Sequence, residues 1–324
     1  MTEPIGRASP STPAPGGSAA SGDPLTPGGP LAPGGTAELA GRPVARIGFG
    51  VMRLERSAVD KDAALAILRQ AADAGVNHLD TAQFYGACNE LIRDALAPYD
   101  AGLVLVSKVG AARDPDAKPL PLVPAQRPAE LRAQVEANLA SLGTDRLSVV
   151  NLRRLDAPPG IIAAGEQRVD LDDQLAELSA LRDEGKIGGI GLSNVSAGQL
   201  RQALPAGIAC VQNSYSVLDR TAEPVLDVCR EHCVAWVPFF PLGSAGFRNM
   251  PRVTDNPTVR AVAAELGVTP AQVGLAWQLA HYDRTLLIPG TASPAHLAEN
   301  IFAGEIKLTG ESLAALDALG GGQA

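Results

Sequence analysis

Residues Gly189–Gln212 read GIGLSNVSAGQLRQALPAGIACVQ, and this stretch contains one complete strand–helix–strand unit. Gly189–Leu192 and Ala209–Gln212 are apolar runs of strand length, while Ala197–Leu204 between them has the spacing of a helix. Strands that alternate with helices are typical of βαβ units, in which the strands run parallel. The stretch therefore predicts a parallel sheet with helical connections.

The same alternation extends over the chain from Thr36 onward. The predicted strands are Ile47–Val51, Asn77–Asp80, Leu103–Ser107, Ser148–Leu152, Gly189–Leu192, Ala209–Gln212, Ala235–Phe239 and Leu286–Ile288. The predicted helices are Lys61–Ala74, Asn89–Ala97, Pro128–Leu142, Leu171–Glu184, Ala197–Leu204, Ala222–His232, two within 256–281, Ala292–Phe302 and Leu308–Leu319. Eight strands with no linker that divides them favour a closed barrel, which needs about 250 residues.

An open, doubly wound sheet is the alternative, and it is expected to carry G-x-G-x-x-G directly after a strand. Gly48-Phe49-Gly50 does not extend to a third glycine, so this fingerprint is absent from the sequence. We predict that residues 36–324 form a single-domain α/β protein, a (β/α)8 TIM barrel. In such a barrel the catalytic side chains lie at the carboxyl ends of the strands.

Composition excludes several classes of function. The formal net charge of −8 and the lack of a Lys/Arg-rich run argue against nucleic acid as a partner. No apolar stretch reaches the roughly 18 residues that a membrane span needs. Residues 1–35 are rich in proline, glycine and small polar residues, which predicts a disordered tail without the features of a secretory signal. We therefore expect a cytoplasmic protein.

Cysteine usage gives no sign of a metal centre. Cys229, His232 and Cys233 lie close together, but no second pair of ligands has the spacing of a zinc site. We expect reduced thiols, as in a cytosolic protein.

Three chemically informative residues follow predicted strands. Asp80 closes the second strand, Tyr85 comes five residues later, and Lys108 follows the third strand. A buried lysine needs a partner, and Asp80 is the nearest candidate at this end of the barrel. An ammonium beside Tyr85 favours the phenolate, so the phenol could give up a proton near neutral pH. A structural ion pair beside an ordinary loop aromatic remains the alternative interpretation.

From about Arg46 to the C-terminal helix, the sequence resembles the aldo-keto reductase superfamily. The resemblance implies a catalytic tetrad in which Asp80, Tyr85 and Lys108 match in type and spacing. The fourth member is a histidine at the end of strand four in the family, and this chain has Arg153 there. An arginine donates hydrogen bonds but cannot shuttle protons, so it would polarise a carbonyl or hold an anionic group.

The same resemblance implies that the cofactor is NADP(H). Ser193, Asn194 and Gln212 would bind the nicotinamide carboxamide, and Phe239 would stack on the ring. The pyrophosphate would lie along Leu242, Gly243 and Ser244, and the adenosine end would contact Gly290, Thr291, His296, Glu299 and Asn300. The remaining predicted cofactor contacts are Gly50, Val51, Met52 and Asp80. Many relatives have lysine and arginine where this chain has Gly290 and His296, so NADH stays an open alternative.

Within the superfamily, the strings HLDTAQFYG, VVNLR, GLSNV and LIPGTASPAHLAEN resemble the bacterial pyridoxal reductase (pyridoxine 4-dehydrogenase) branch. This resemblance implies a small-molecule aldehyde or alcohol as substrate, with pyridoxal as the specific expectation, and a monomer or small homo-oligomer. Met52, Trp236, Phe240 and Phe247 are candidates for an apolar substrate pocket. A reductase for other aldehydes or ketones and a non-catalytic, NADPH-sensing regulatory subunit are the competing hypotheses.

Overall fold

The computed structural model describes residues 1–2, 32–55, 60–118, 120–158, 160–243 and 250–322. Its strands are β1 (Thr36–Leu39), β2 (Arg42–Ala45), β3 (Phe49–Gly50), β4 (His78–Asp80), β5 (Val104–Val109), β6 (Ala111–Arg113), β7 (Leu122–Pro124), β8 (Leu147–Arg153), β9 (Ile187–Ser193), β10 (Ile208–Gln212) and β11 (Ala235–Trp236). Its helices are α1 (Lys61–Asp73), α2 (Cys88–Leu96), α3 (Pro128–Leu142), α4 (Leu171–Asp183), α5 (Ala197–Ala203), α6 (Glu223–His232), α7 (Pro257–Leu266), α8 (Pro270–His281), α9 (Pro294–Phe302) and α10 (Gly310–Asp317). Most of the predicted tail, residues 1–35, lies outside the described residues.

The central sheet is parallel throughout, with the strand order β11-β10-β9-β8-β5-β4-β3. Residues 284–288 close it into a ring. On one side, Leu286 N donates to Trp236 O at 2.8 Å; on the other, Gly48 N donates to Leu287 O at 2.7 Å. The prediction of a (β/α)8 barrel is confirmed.

The eighth predicted strand, Leu286–Ile288, is reduced to isolated bridges, in which Thr285 pairs with Trp236 and Leu287 with Ile47. The seventh is shorter than predicted, because regular pairing ends at Trp236 and resumes only at a bridge between Phe239 and Ser214. The shortening of the seventh strand falls at its carboxyl end, next to the mouth of the barrel.

Alternate strand residues point into the barrel and form a small inner core. Val104, Val106, Val149, Cys210, Val237 and Leu286 belong to this core. The antiparallel hairpin of β1 and β2 adds Leu39 and Val44 to the same cluster, so it packs into the amino-terminal end of the barrel. The charged side chains of Asp80 and Lys108 lie toward the opposite end, where their strands finish.

Helix starts follow from local capping chemistry. Ser196 accepts from Gln199 N while the Gln199 side chain accepts from Ser196 N, and Thr269 and Gln272 repeat this reciprocal arrangement at α8. In α1, the Asp60 carboxylate accepts from Ala63 N at 3.2 Å. Within the described residues, no helix is both long enough and apolar enough to cross a bilayer.

Candidate active site

The carboxylate of Asp80 is the centre of a buried polar cluster at the mouth of the barrel. Asp80 ends β4 and is 3% exposed, and its Oδ1 forms an ion pair with Nζ of Lys108 on β5. Its Oδ2 accepts a hydrogen bond of 2.7 Å from Nε2 of Gln212 at the end of β10. Lys108 also donates to Thr81 O at 3.1 Å. The predicted pairing of Asp80 with Lys108 is present.

Lys108 keeps its positive charge in this enclosed position. Burial acts to lower the pKa of its ammonium, but the charge of Asp80 and the hydrogen bonds with Asp80 and Tyr85 raise it, and the net pKa is above its ordinary value. The site therefore holds a permanent cation that few water molecules can screen.

A second polar network holds the outer faces of the same two strands. Thr81, next to Asp80, donates its hydroxyl proton to Asn89 Oδ1 at 2.8 Å, and Ser107, next to Lys108, donates to Asn138 Oδ1 at 2.7 Å. Asn89 and Asn138 are joined by a hydrogen bond of 2.9 Å. Because these groups are buried and paired, they fix β4 and β5 against α2 and α3.

Tyr85 lies beside the ammonium of Lys108, with Nζ 5.2 Å from the centre of the phenol ring. Its amide donates to Ala82 O at 3.0 Å, and its ring makes an edge contact with Phe84 at 5.1 Å. The half-buried phenol therefore stands at the rim of the buried cluster, where a ligand in the mouth could reach it.

Arg153 is the last residue of β8 and pairs in register with Ser193 on β9. Its guanidinium carbon lies 5.7 Å from the centre of the Phe239 ring. The structure thus places Arg153, at the predicted position of the fourth catalytic residue, next to Phe239, the predicted stacking ring. Arg153 is half-buried, as a residue between the buried cluster and the loops would be.

Three buried polar atoms at the carboxyl ends of β8, β9 and β10 have no hydrogen-bond partner among the described residues. They are Asn151 Nδ2, Ser193 Oγ and Gln212 Oε1, on side chains that are fully buried. Buried donors and acceptors are costly unless a partner satisfies them. Two donor groups and an acceptor on adjacent strands suit a carboxamide, so the residues present fit the nicotinamide end of NADP(H).

Asn151 is not among the predicted site residues, although its position in the sequence offers a signal. It lies two residues before Arg153 on β8, so strand alternation directs both side chains into the barrel. Its Oδ1 accepts a weak hydrogen bond from Cys210 Sγ at 3.3 Å, and a side chain at Gly191 would clash with it.

Asn194 has a different arrangement from its neighbour Ser193. Its backbone is left-handed, with φ of 60°, and its Nδ2 donates to Ala157 O at 2.8 Å. Nδ2 also donates to Arg154 O at 3.3 Å, so the Oδ1 atom is the part of this side chain left for a ligand in the mouth.

The segment after β11 supplies an aromatic pair and a tight turn. Phe239 is half-buried and contacts the edge of Phe240 at 5.2 Å. Gly243 has φ of 75°, and a Cβ there would lie 2.2 Å from Pro251 O, so only glycine fits. Leu242 packs under the turn, and the predicted contact Ser244 lies outside the described residues, as does Phe247.

Trp236, one of the pocket candidates, is fully buried and makes an edge contact with Tyr215 at 5.6 Å. It belongs to the outer core between the sheet and the helices, because strand alternation points it away from the barrel interior.

The predicted adenosine end lies at the start of α9. Ser293 caps this helix by accepting from His296 N, and Thr291 Oγ1 accepts from Ser293 N at 3.0 Å. His296 is exposed, and Glu299 and Asn300 are half-buried on the same helix. Exposed backbone N–H groups at such a helix start suit an anionic group.

Gly50 and Gly290 touch where the barrel closes. A Cβ at Gly290 would lie 2.2 Å from Gly50 O and 3.3 Å from Arg53 Cγ. Val51 and Met52 follow Gly50, the first fully buried and the second 44% exposed. These predicted contacts therefore lie beside Gly290, at the opposite side of the mouth from Ser193.

Comparison with known proteins agrees with this geometry. Residues 46–320 match the model of the aldo/keto reductase family. The chain belongs to the aldo/keto reductase family. The protein is therefore an oxidoreductase, and its barrel contains the buried Asp80–Lys108 pair with Tyr85 beside it.

The relatives of this aldo/keto reductase cover nearly the whole chain. It is 41% identical over 292 residues to pyridoxine 4-dehydrogenase of Escherichia coli, covering 88% of this chain and 98% of the relative. It is 32% identical over 292 residues to an uncharacterised oxidoreductase of Schizosaccharomyces pombe, covering 87% of this chain and 89% of the relative.

Solved structures of the family resemble the fold closely. An aldo/keto reductase from Klebsiella pneumoniae in complex with NADP and acetate has a TM-score of 0.73 and 28% identity, with 88% of this chain and 94% of that chain covered. A thermostable aldo-keto reductase in complex with the inhibitor epalrestat has a TM-score of 0.73 and 27% identity, with 88% and 99% covered.

Proposed function

We propose that the protein is an NADPH-dependent aldehyde reductase that reversibly converts pyridoxal to pyridoxine, with Tyr85 as the proton donor. The observation that carries the proposal is the buried Lys108 ammonium, paired with Asp80 and 5.2 Å from the centre of the Tyr85 ring. The likeness to pyridoxine 4-dehydrogenase supports the substrate, and the Klebsiella complex with NADP supports the cofactor.

When bound in the mouth, NADPH would supply the hydride that the carbonyl carbon accepts. The unpartnered Ser193 Oγ and Gln212 Oε1, with Asn194, are suited to the carboxamide, and Phe239 to the face of the nicotinamide ring. The further proposed contacts are Gly50, Val51, Met52, Asp80, Leu242, Gly243, Ser244, Gly290, Thr291, His296, Glu299 and Asn300. Gly290 and His296 stand where many relatives have lysine and arginine, and the backbone N–H groups and hydroxyls at the start of α9 are proposed to help bind the 2′-phosphate.

Tyr85 protonates the substrate oxygen as negative charge develops on it. The Lys108 cation stabilises the phenolate that is left, and Asp80 holds the cation in place through its ion pair. In the alcohol-oxidising direction, the same phenolate takes the proton from the hydroxyl group. In this proposal Tyr85 transfers the proton in both directions, and no neighbouring residue needs to act as an acid or base.

Arg153 gives the site a preference for one kind of aldehyde. A guanidinium is permanently charged and donor-only, so it suits an anionic oxygen next to the reacting group. Pyridoxal carries such an oxygen, its 3-phenolate, beside the aldehyde. We propose that Arg153 holds this oxygen while Tyr85 protonates the neighbouring one.

The first test is NADPH oxidation with pyridoxal and with a panel of simple aldehydes. Tyr85→Phe is expected to lower kcat by about 100-fold or more, the range of general acid catalysis. Tyr99→Phe is the matched control, because its hydroxyl donates to Leu142 O at 2.5 Å outside the site, and it is expected to leave kcat unchanged. Tight NADPH binding without turnover on any aldehyde would instead favour a regulatory subunit.

The second test addresses Arg153. We compare kcat/KM for pyridoxal and 3-deoxypyridoxal in the wild type and in Arg153→Ala. The wild type is expected to prefer pyridoxal, and the variant is expected to lose that preference. Equal preference in both proteins would refute this role of Arg153.

A further inference from the structure

A glutamine outside the candidate active site joins the ends of two of its strands. Gln126 lies between β7 and α3 and is 2% exposed. Its Nε2 donates to Gly110 O at 2.5 Å and to Arg153 O at 2.8 Å. Gly110 lies two residues beyond Lys108, so one side-chain amide connects the segments that carry the two cations of the site.

The approach of these two segments leaves no spare room. Gly110 has a left-handed backbone, with φ of 109°, and a Cβ there would lie 2.5 Å from Arg153 O and 2.6 Å from Gln126 Nε2. The contact therefore depends on glycine at position 110 and on a donor at position 126. Without the Gln126 donor, the carbonyl oxygen of Arg153 would lose this buried hydrogen bond, which is energetically costly.

A chain of donors fixes which way the Gln126 amide points. Arg154 is held by Asp156 through hydrogen bonds of 2.8 Å and 3.0 Å, and it donates to Gln174 Oε1. A guanidinium can only donate, so Gln174 must turn its oxygen toward Arg154 and its nitrogen toward Gln126. Gln174 Nε2 donates to Gln126 O at 2.7 Å and to Gln126 Oε1 at 3.1 Å. The nitrogen of Gln126 is thereby directed at Gly110 and Arg153.

We propose that Gln126 is a positioning residue for Arg153, and that it sets the place of the guanidinium relative to Lys108 and Tyr85. The proposal rests on the proposed function, in which Arg153 holds an anionic oxygen of the substrate. The hydrogen bond to the carbonyl of Arg153 fixes the backbone from which the side chain extends. Displacement of a substrate-positioning group by about 1 Å can cost about 100-fold in rate.

The principal variant is Gln126→Met, which keeps the side-chain length and removes both donors. We expect kcat/KM for pyridoxal to fall about tenfold, which corresponds to partial loss of one positioned interaction. The value for 3-deoxypyridoxal is expected to change by less than about twofold, because that substrate lacks the oxygen that Arg153 holds. A purely structural role would lower both values by the same factor.

The matched control is Gln278→Met. Gln278 is 1% exposed, and its Nε2 donates to a backbone carbonyl, Tyr215 O, at 2.9 Å, between α8 and the segment after β10. It loses a comparable buried hydrogen bond away from the strand ends of Lys108 and Arg153. The ratio of the two kcat/KM values is expected to stay at the wild-type value in this control.

A double-mutant cycle tests the route of the effect. If Gln126 acts through Arg153, Gln126→Met causes no further loss of kcat/KM for pyridoxal in an Arg153→Ala background. A loss of the same size in both backgrounds overturns the proposal. Pyridoxine affinity by calorimetry gives a readout without turnover, and it is expected to weaken in Gln126→Met by a similar factor to kcat/KM.

Folding and the proposed function are controlled separately. Thermal unfolding and circular dichroism show whether Gln126→Met is folded. If it is not, Gln174→Met is used instead, because it removes the partner that orients Gln126. This variant is expected to lower the ratio of kcat/KM for pyridoxal to that for 3-deoxypyridoxal by a smaller factor. A wild type without turnover, or without preference for pyridoxal, refutes the proposed function and this inference together. A wild-type preference that Gln126→Met and Gln174→Met both retain refutes the inference alone.

Discussion

At the scale of single residues, the Asp80–Lys108 pair shows how the site tolerates charge inside a barrel. Both side chains are at most 6% exposed, and each supplies the charge that the other needs. A buried pair is weak evidence for stability, but the removal of one partner leaves an uncompensated charge. The two residues are therefore expected to be coupled in stability as well as in catalysis.

Asp80→Asn is expected to lower the free energy of unfolding by about 3–5 kcal/mol at pH 7, because Lys108 loses its counter-charge. Urea unfolding measures the loss. Asp94→Asn is the matched control, since Asp94 pairs with Lys61 at 2.9 Å on the surface. An exposed pair of this kind is worth less than about 1 kcal/mol, so equal losses in the two variants would contradict the expectation.

His78 is a second buried titratable residue, on β4 two positions before Asp80. Burial lowers the pKa of its imidazole to about 4, with the backbone at Ala45 acting in the opposite direction, from an ordinary value of 6.5. Because the folded pKa is depressed, the neutral ring contributes stability above pH 6.5, and this contribution is lost as the pH falls toward 4. Protonation is then favoured in the unfolded chain.

We expect wild type to lose about 3 kcal/mol more than His78→Met between pH 7 and pH 4, since one pKa unit corresponds to about 1.4 kcal/mol. Urea unfolding at several pH values gives the two curves. His296→Gln, at an exposed position, serves as the control and is expected to follow the wild-type curve. Parallel curves for wild type and His78→Met would show that His78 does not titrate in this way.

Sequence alone could identify Asp80, Tyr85 and Lys108 as neighbours, because strand ends of a parallel barrel meet at one rim. It could not identify Gln126, because its two acceptors are backbone carbonyls at positions 110 and 153 whose proximity depends on the register of β5 with β8. Asn151 could be predicted only in part. Strand alternation from Arg153 directs its side chain into the barrel, but the absence of a hydrogen-bond partner for its Nδ2 is seen only in the structure.

At the scale of elements, the closure of the barrel between β3 and residues 284–288 depends on glycine. A Cβ at Gly290 would lie 2.2 Å from Gly50 O, and a Cβ at Gly50 would lie 2.5 Å from Ile288 O. These are backbone atoms that cannot swing aside, so any side chain must push the two segments apart. The closing pair of segments is therefore a point of low tolerance in the fold.

Gly290→Ala is expected to destabilise the protein by about 1–3 kcal/mol, the usual cost of forcing extra volume into a packed place. Gly310→Ala is the control, because a Cβ there meets nothing within 4 Å at the start of α10. Reduced freedom of the unfolded chain should make the control neutral or stabilising by up to about 1 kcal/mol. Chemical unfolding of both variants distinguishes the two effects, and equal stabilities would disprove a tight closure.

Elements with strong periodicity were predictable, and short irregular ones were not. The strand cores and the ten helices match apolar runs that the sequence displays clearly. The hairpin of β6 and β7 was missed, since Asp114-Pro115 and three further prolines between positions 119 and 124 disguise its short strands. The hairpin of β1 and β2 was missed because its strands, with the sequences TAEL and RPVA, contain polar residues and a proline and no apolar run.

At the scale of the whole molecule, a ligand that binds only the folded barrel should stabilise all of it. The proposed cofactor contacts run from Gly50 to Asn300, so they include both sides of the barrel closure. Binding is then linked to unfolding by mass action, at about 2.7 kcal/mol for a ligand at 100 times its Kd.

NADPH is accordingly expected to raise Tm by several degrees at saturating concentration, since about 1 kcal/mol shifts Tm by a few degrees in a domain of this size. NADH at the same concentration is the comparison, and a smaller shift is expected because it lacks the 2′-phosphate. Thermal unfolding by circular dichroism measures both shifts. Equal shifts would mean that the start of α9 does not recognise that phosphate.

The whole fold was predictable from the sequence because eight alternations leave few topologies other than a barrel. The sequence pattern did not predict how the barrel closes, because residues 284–288 form single bridges on each side and not a continuous ladder of hydrogen bonds. Such pairing depends on the curvature of all the other strands together.

The hairpin of β1 and β2 covers the amino-terminal end of the barrel, because Leu39 and Val44 pack against its inner core. A ligand would reach the polar strand ends from the mouth, so if the proposed cofactor binds more deeply than the substrate, it would bind first and leave last. Such an order of binding would follow from the geometry of the barrel alone and would not require a conformational change.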